Sequence, residues 1–201
     1  MKLLSIFAVI FSLSIADAAT TMKMNFNNEE LTKIIENYSK ASGQKFVVDA
    51  SVRGKTSIFN QEPVAIEEAF NLLSSALALQ GFGISKQGDT MIVQPARNLQ
   101  RNLIEVGTAM PSLKPERMYS WIYTVKNTPA SKIMRDVRIL TSKDGEMNLN
   151  ESTNQIIFVD WASNLNRIGE IMKEIDKKAD PATAKLIEEG KKDRISKKRQ
   201  D

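Results

Sequence analysis

Lys45-Phe46-Val47-Val48-Asp49-Ala50-Ser51-Val52-Arg53-Gly54-Lys55-Thr56-Ser57-Ile58-Phe59 decides how the first half of this chain is read. Residues 45–48 are rich in β-branched and aromatic side chains and stop at a turn former, the pattern of a short buried strand. Asp49, two residues before Ser51 and ahead of Gly54, suits a turn held by its own carboxylate, so residues 49–54 predict a turn and 55–59 a returning strand. Working outward toward the N-terminus, Gly43 fits a helix stop, and Leu31, Ile34, Ile35 and Tyr38 recur at helical spacing before it. Asn27 or Asn28 is a candidate cap for that helix, with Glu29 and Glu30 at its positive end. Met22, Met24 and Phe26 alternate with polar residues, as in a strand with one buried face. Toward the C-terminus, Pro63 predicts the start of a second helix with Ile66, Ala69, Phe70, Leu73 and Leu77 on its buried stripe, and Gly81 its end. Residues 82–85 and 91–93 then flank Gln87-Gly88-Asp89 as a closing hairpin. Residues 22–95 therefore read β-α-β-β-α-β-β.

A second unit of similar size follows at residues 117–177. Residues 118–125 make a strand containing Tyr119, Trp121, Ile122 and Tyr123. Thr128 and Pro129 suit a helix start, and Ile133, Met134, Val137 and Leu140 its buried face. Asp144-Gly145 breaks the helix, residues 146–149 and 155–159 make two strands, and Ser163 caps a helix that buries Leu165, Ile168, Met172 and Ile175. This unit reads β-α-β-β-α. Residues 96–116, with Pro111 and Pro115 and no periodic apolar face, read as a linker. The fold class is α+β, two small domains of sheet plus helices.

The two ends of the chain carry other information. Met1-Lys2, the apolar run of residues 3–15 and Ala16-Asp17-Ala18 form the three parts of a secretory signal peptide, residues 1–18, with cleavage between Ala18 and Ala19. No later run is long and apolar enough to span a membrane as a helix. Residues 178–201 form a charged tail in which Lys191-Lys192-Asp193-Arg194-Ile195-Ser196-Lys197-Lys198-Arg199 concentrates the positive excess, six basic residues against one acidic, in a chain whose net charge is +4. Such a run either stays solvated or attaches to an anionic surface, and the solvated reading is the simpler.

With the elements placed, the first unit resembles the first N-terminal periplasmic domain of type II secretion secretins, the general secretion pathway protein D family. The residues that carry the likeness are Asn25-Phe26, the run from Val47 to Lys55, and Leu79-Gln80-Gly81-Phe82-Gly83. The second unit is similar to the next domain of that family across residues 125–130, 148–158 and 165–176. The resemblance implies a periplasmic binding and assembly module of a type II secretion or related pilus machine. The implied partners are secretin or inner-membrane platform proteins and further copies in a ring. It departs from the family in lacking the outer-membrane barrel, since no series of alternating ten-residue strands follows residue 177. The first unit also resembles the short N-terminal signalling domain of some TonB-dependent receptors, and the second unit favours the secretion reading over that one.

The chemistry of the chain points the same way. It has no Cys and no His, which excludes thiol chemistry, disulfides, Cys/His zinc sites and a Ser-His-Asp triad. Glu29-Glu30, Glu67-Glu68 and Glu188-Glu189 are adjacent pairs, and adjacent residues on a helix do not face each other as a general acid and base must. Trp121 and Tyr123 lie on one strand face and either stack on a ligand or pack under a helix, packing being the commoner use. There is no Gly-rich phosphate loop, so neither a cofactor nor a metal is expected. Gly145 and Gly169, the only glycines of the second unit, are too far apart for a Gly-x-x-Gly nucleic-acid clamp. The expectation is a binding protein with no catalytic residue.

Overall fold

The computed structural model describes residues 20–102 and 104–197. The expected signal peptide and the expected Ala18–Ala19 cleavage site lie outside the described residues.

The first unit runs through β1 (Thr21–Met22), β2 (Phe26–Glu30), α1 (Leu31–Ser42), β3 (Lys45–Val48), β4 (Lys55–Ile58), β5 (Val64–Ala65), α2 (Ile66–Leu79), β6 (Phe82–Gln87) and β7 (Thr90–Pro95). The strands flanking the 49–54 turn do not pair with each other. β3 runs parallel to β7, which pairs antiparallel with β6, while β4 pairs antiparallel with β2. The turn itself explains the parting. Asp49 donates its backbone N–H to Val93, Val52 donates to Asp49, and Gly54, at φ 120°, turns its carbonyl to accept the N–H of Leu31. That left-handed conformation favours glycine, and the bond from Leu31 satisfies one of the free donors at the start of α1.

Three helix starts are corrected by this geometry. Asn27 to Glu30 belong to β2, where Asn28 takes φ 50° at an irregularity, so neither asparagine caps α1. Pro63 precedes a strand rather than a helix: Val64–Ala65 pair with β1, and α2 begins at Ile66, whose N–H is taken by the carbonyl of Thr20. In the second unit, Asn154 rather than Thr128 serves the helix start, its side-chain oxygen accepting the N–H of Ala130 at 2.7 Å. Gly43 ends α1 as expected, at φ 70° with its N–H on Ser39. The first core gathers Met24, Leu31, Ile34, Ile35, Leu73, Leu77 and Val93, all buried, whereas Phe70 is only partly buried against it.

Residues 96–116 are not a bare linker. They hold α3 (Ala96–Asn102) and β8 (Glu105–Gly107), and β8 is a working member of the second sheet. That sheet also contains β9 (Met118–Thr124), β10 (Glu146–Asn150) and β11 (Gln155–Trp161), in the order β10-β11-β9-β8, with β8 parallel to β9. Its helices are α4 (Ala130–Val137), continued by a single 3-10 turn at Arg138–Leu140, and α5 (Ala162–Ile175). α5 starts before Ser163, whose N–H and hydroxyl donate instead to Glu116. Trp121 stacks on Phe158 at 5.4 Å between ring centres, over Leu165, Ile168 and Met172, so it is core. The charged tail is helical where it is described: α6 (Pro181–Lys197) starts on Asp180, which accepts hydrogen bonds from the backbone of Ala182 and Thr183.

Candidate interaction surface

The two units meet through a third, smaller core. Ala96, Met118, Val159 and Trp161 are buried together, with Ala78, Ile104 and Ile157 packed against them. α3 begins this contact because Ala96 donates its N–H to the carbonyl of Gly81, turning the chain at the end of β7. Leu99, three residues on and buried, sits so close to Gly83 that a Cβ there would lie 2.4 Å from the Leu99 methyl and 3.6 Å from the Trp161 ring. With glycine at this place, the Leu99 side chain keeps its present position against β6.

Polar contacts hold the same junction. Asp160 is fully buried and accepts the N–H of Ser142 at 2.7 Å, that of Trp161 at 2.8 Å and the Asn164 amide at 2.7 Å. A buried carboxylate with several donors is a satisfied structural group. It pins the turn at Ser142, from which Lys143 lends its carbonyl to Arg97 at 2.7 Å. The segment between β8 and β9 works as a strap. Met110 lies against Gly169 of α5, Asn166 donates to the carbonyl of Pro111, and Lys114 pairs with Glu68 of α2 at 3.2 Å. Arg117 closes the strap on itself, donating to Ser112 and to the carbonyl of Pro115, while its own carbonyl takes the N–H of Ala162. The Lys114–Glu68 pair is exposed and adds little by itself; the apolar contacts carry the junction.

The carboxylates singled out in the sequence sit apart from one another. Glu29 and Glu30 end β2, Glu188 pairs with Lys192 on α6 at 3.2 Å, and Glu68, beside Glu67 in the first turn of α2, accepts from Asn71 and Lys114. Asp49 holds its turn, accepting the Ser51 hydroxyl and N–H, and these two bonds keep its carboxyl below the usual range. Among the described residues no group of three or more Asp, Glu, His or Cys side chains converges as metal ligands would. The one strongly perturbed pair is structural. Burial first, then the hydrogen bond and charge of Asp176, push the Tyr123 phenol up to about 12. Burial also pushes Asp176 up, but the backbone N–H groups of Lys126 and Asn127, the Tyr123 hydroxyl and the Asn127 side chain outweigh it and hold the carboxyl low.

Residues 24–93 match the family model described as the GspD-like N0 domain. That stretch resembles an N0 domain. Over a longer span that reaches into the second unit, the chain is 25% identical to secretin XcpQ of Pseudomonas aeruginosa over 155 residues, covering 77% of this chain and 23% of that protein. It is 21% identical to secretin GspD of Vibrio cholerae over 165 residues, covering 81% of this chain and 24% of that protein. The chain thus spans about a quarter of the length of the curated relatives it matches. The fold is that of the matching part of a Klebsiella pneumoniae type II secretion outer membrane complex of PulD, PulS and the PulC HR domain, with a TM-score of 0.68 at 18% identity, covering 77% of this chain and 27% of that one. The first and second units together resemble the N-terminal part of a type II secretin.

The junction beside the first unit was not foreseen from the sequence. Its signals were present but short: Ala96 and Leu99 at helical spacing, and Trp161 at the end of a strand whose other apolar residues already filled the second core.

Proposed function

We propose that this chain is an exported, non-enzymatic assembly module of a type II secretion machine, working in the periplasm by binding secretin or inner-membrane platform components. The observation that carries the reading is the N0-like stretch at residues 24–93 followed, in register with XcpQ over 155 residues, by a second small α+β unit. The Klebsiella PulD complex, whose fold this chain shares across both units, contains a PulC HR domain, and this favours a partner of that kind here. The signal-peptide pattern in residues 1–18 supplies the route to the periplasm. Residues 22–95 and 117–177 are the cores of its two domains, and self-association in a ring is a further contact open to it. Affinity capture from detergent-solubilised envelopes tests the reading: secretin or platform proteins are the expected companions. Capture of neither, with protein secretion and pilus assembly intact after deletion, overturns it. Capture of a TonB-dependent receptor or an anti-sigma regulator replaces it with the signalling function.

A further inference from the structure

A cleft of about 190 Å³ lies between the two units. Its walls include Phe70, Ile84 and Met91 from the first unit and Ile104 and Met118 from the other. Two features distinguish it from a simple packing gap. The first is that Ile84, Ser85 and Lys86 all line it. Consecutive strand residues point to opposite faces, so a cleft touching all three runs along the edge of the strand. β6 has only β7 as a neighbour, so no strand pairs with its other edge. Across the cleft, Glu105 begins β8, an edge strand of the second sheet, and Ile104 directly precedes it.

The second feature is one donor without a partner and one held only by an ion pair. Ser85 is 8% exposed and its hydroxyl has no hydrogen-bond partner among the described residues. Arg117 Nε, also buried, makes no hydrogen bond and is held only by the ion pair with Glu105 Oε2 at 3.5 Å, on a side chain that is 70% exposed. Lys86 adds an exposed ammonium group to the same lining, and the lining's other carboxylate, Glu116, is engaged by the N–H and hydroxyl of Ser163. Buried donors without partners are rare and call for an acceptor.

We propose that this cleft receives a glutamate side chain from an extended segment of a partner protein that lies along the open edge of β6. The carboxylate accepts from Ser85 Oγ and Arg117 Nε, displacing the loosely held Glu105 into solvent, while the glutamate stem packs on Ile84, Met91 and Ile104. Backbone bonds to β6 supply general affinity and the cleft supplies the choice of side chain, as in other strand-addition interfaces. The volume suits one side chain rather than a free metabolite, since small-molecule sites are generally larger, about 300–1,000 Å³. The proposal deepens the assembly reading by giving the chemistry of the partner segment, and rests on it only for the existence of a partner.

The test needs no secretion component, so its failure leaves the assembly reading standing. The full exported chain, isotopically labelled, is titrated by NMR with the blocked pentapeptide acetyl-Thr-Val-Glu-Val-Thr-amide and with its Gln and Leu counterparts at the centre. Saturable shifts at residues 84–86 and 104–118, with the Glu peptide binding at least fivefold more tightly than Gln or Leu, are expected. Ser85→Ala and Arg117→Lys should each erase most of that preference, with unchanged spectral dispersion showing that the fold is kept. Equal binding of the three peptides, shifts confined to another surface, or no saturable shift overturns the proposal, as does a preference that survives both substitutions.

Discussion

Replacing Trp161 by alanine should separate the melting of the two units. Trp161 is 7% exposed at the end of β11, buried with Ala96, Met118 and Val159, and its ring edge faces Gly83 of the first unit. Truncating a core tryptophan typically costs about 3–5 kcal/mol. The indole serves two masters here: part of that loss falls on the second unit, to which Met118 and Val159 belong, and part on the contact between units. For a unit of this size, each 1 kcal/mol moves the midpoint by about 4–8 °C. With about half of the loss, about 2 kcal/mol, falling on it, the second unit should melt about 8–16 °C lower in Trp161→Ala, while the first core around Leu73 and Leu77 is untouched. Differential scanning calorimetry reads this directly. The intact protein should give one transition, because a shared apolar core makes the units unfold together, and the variant should give two. If the intact protein already melts in two well-separated steps, or the variant keeps one transition shifted by less than about 4 °C, the junction does not couple the units and the reasoning fails.

Four further outcomes are expected. Leu73, fully buried in the first core, should cost about 2–5 kcal/mol when cut to alanine, read by urea denaturation; a loss below 1 kcal/mol would mean that the α2 face is misassigned. Stability should fall in acid, because the lowered Asp176 carboxyl contributes above its unfolded value, near 3.9, and that contribution goes as pH drops through the folded one; Asp176→Asn should flatten the acid limb of a pH–stability profile. At the other extreme the raised Tyr123 phenol contributes fully below about pH 10, and the contribution is lost as pH climbs toward 12, a decline that Tyr123→Phe should remove. Mass spectrometry of the exported protein should find Ala19 at the N-terminus; an intact Met1 on periplasmic material would show that residues 1–18 are not a cleaved signal.

The apolar stripes were legible because helical and strand periods repeat over many residues. Leu31, Ile34, Ile35 and Tyr38, and likewise Leu165, Ile168 and Met172, are buried as their spacing requires, whereas Ile175, expected on the same face, is exposed in the last turn of α5. Helix starts were harder. The local capping residues Asn28 and Thr128 were passed over because partners distant in sequence, the Gly54 carbonyl and the Asn154 side chain, serve those ends instead. Strand pairing was not legible at all at residues 45–59: β3 and β4 are neighbours in the chain but join different sheets, and nothing in their composition separates that arrangement from a hairpin. The junction stayed hidden for a related reason. α3 and β8 are too short to show a period, and their stability comes from what they touch in the other unit.

The close approach at Gly83 turns one position into a gauge of architecture. A side chain there would meet the terminal methyl of Leu99, which can rotate aside, and would lie at ordinary contact distance from the Trp161 ring. In a related chain, a larger residue at this place should therefore come with a smaller or differently turned one facing it from α3. Paired change at these two places would report that the contact itself is kept.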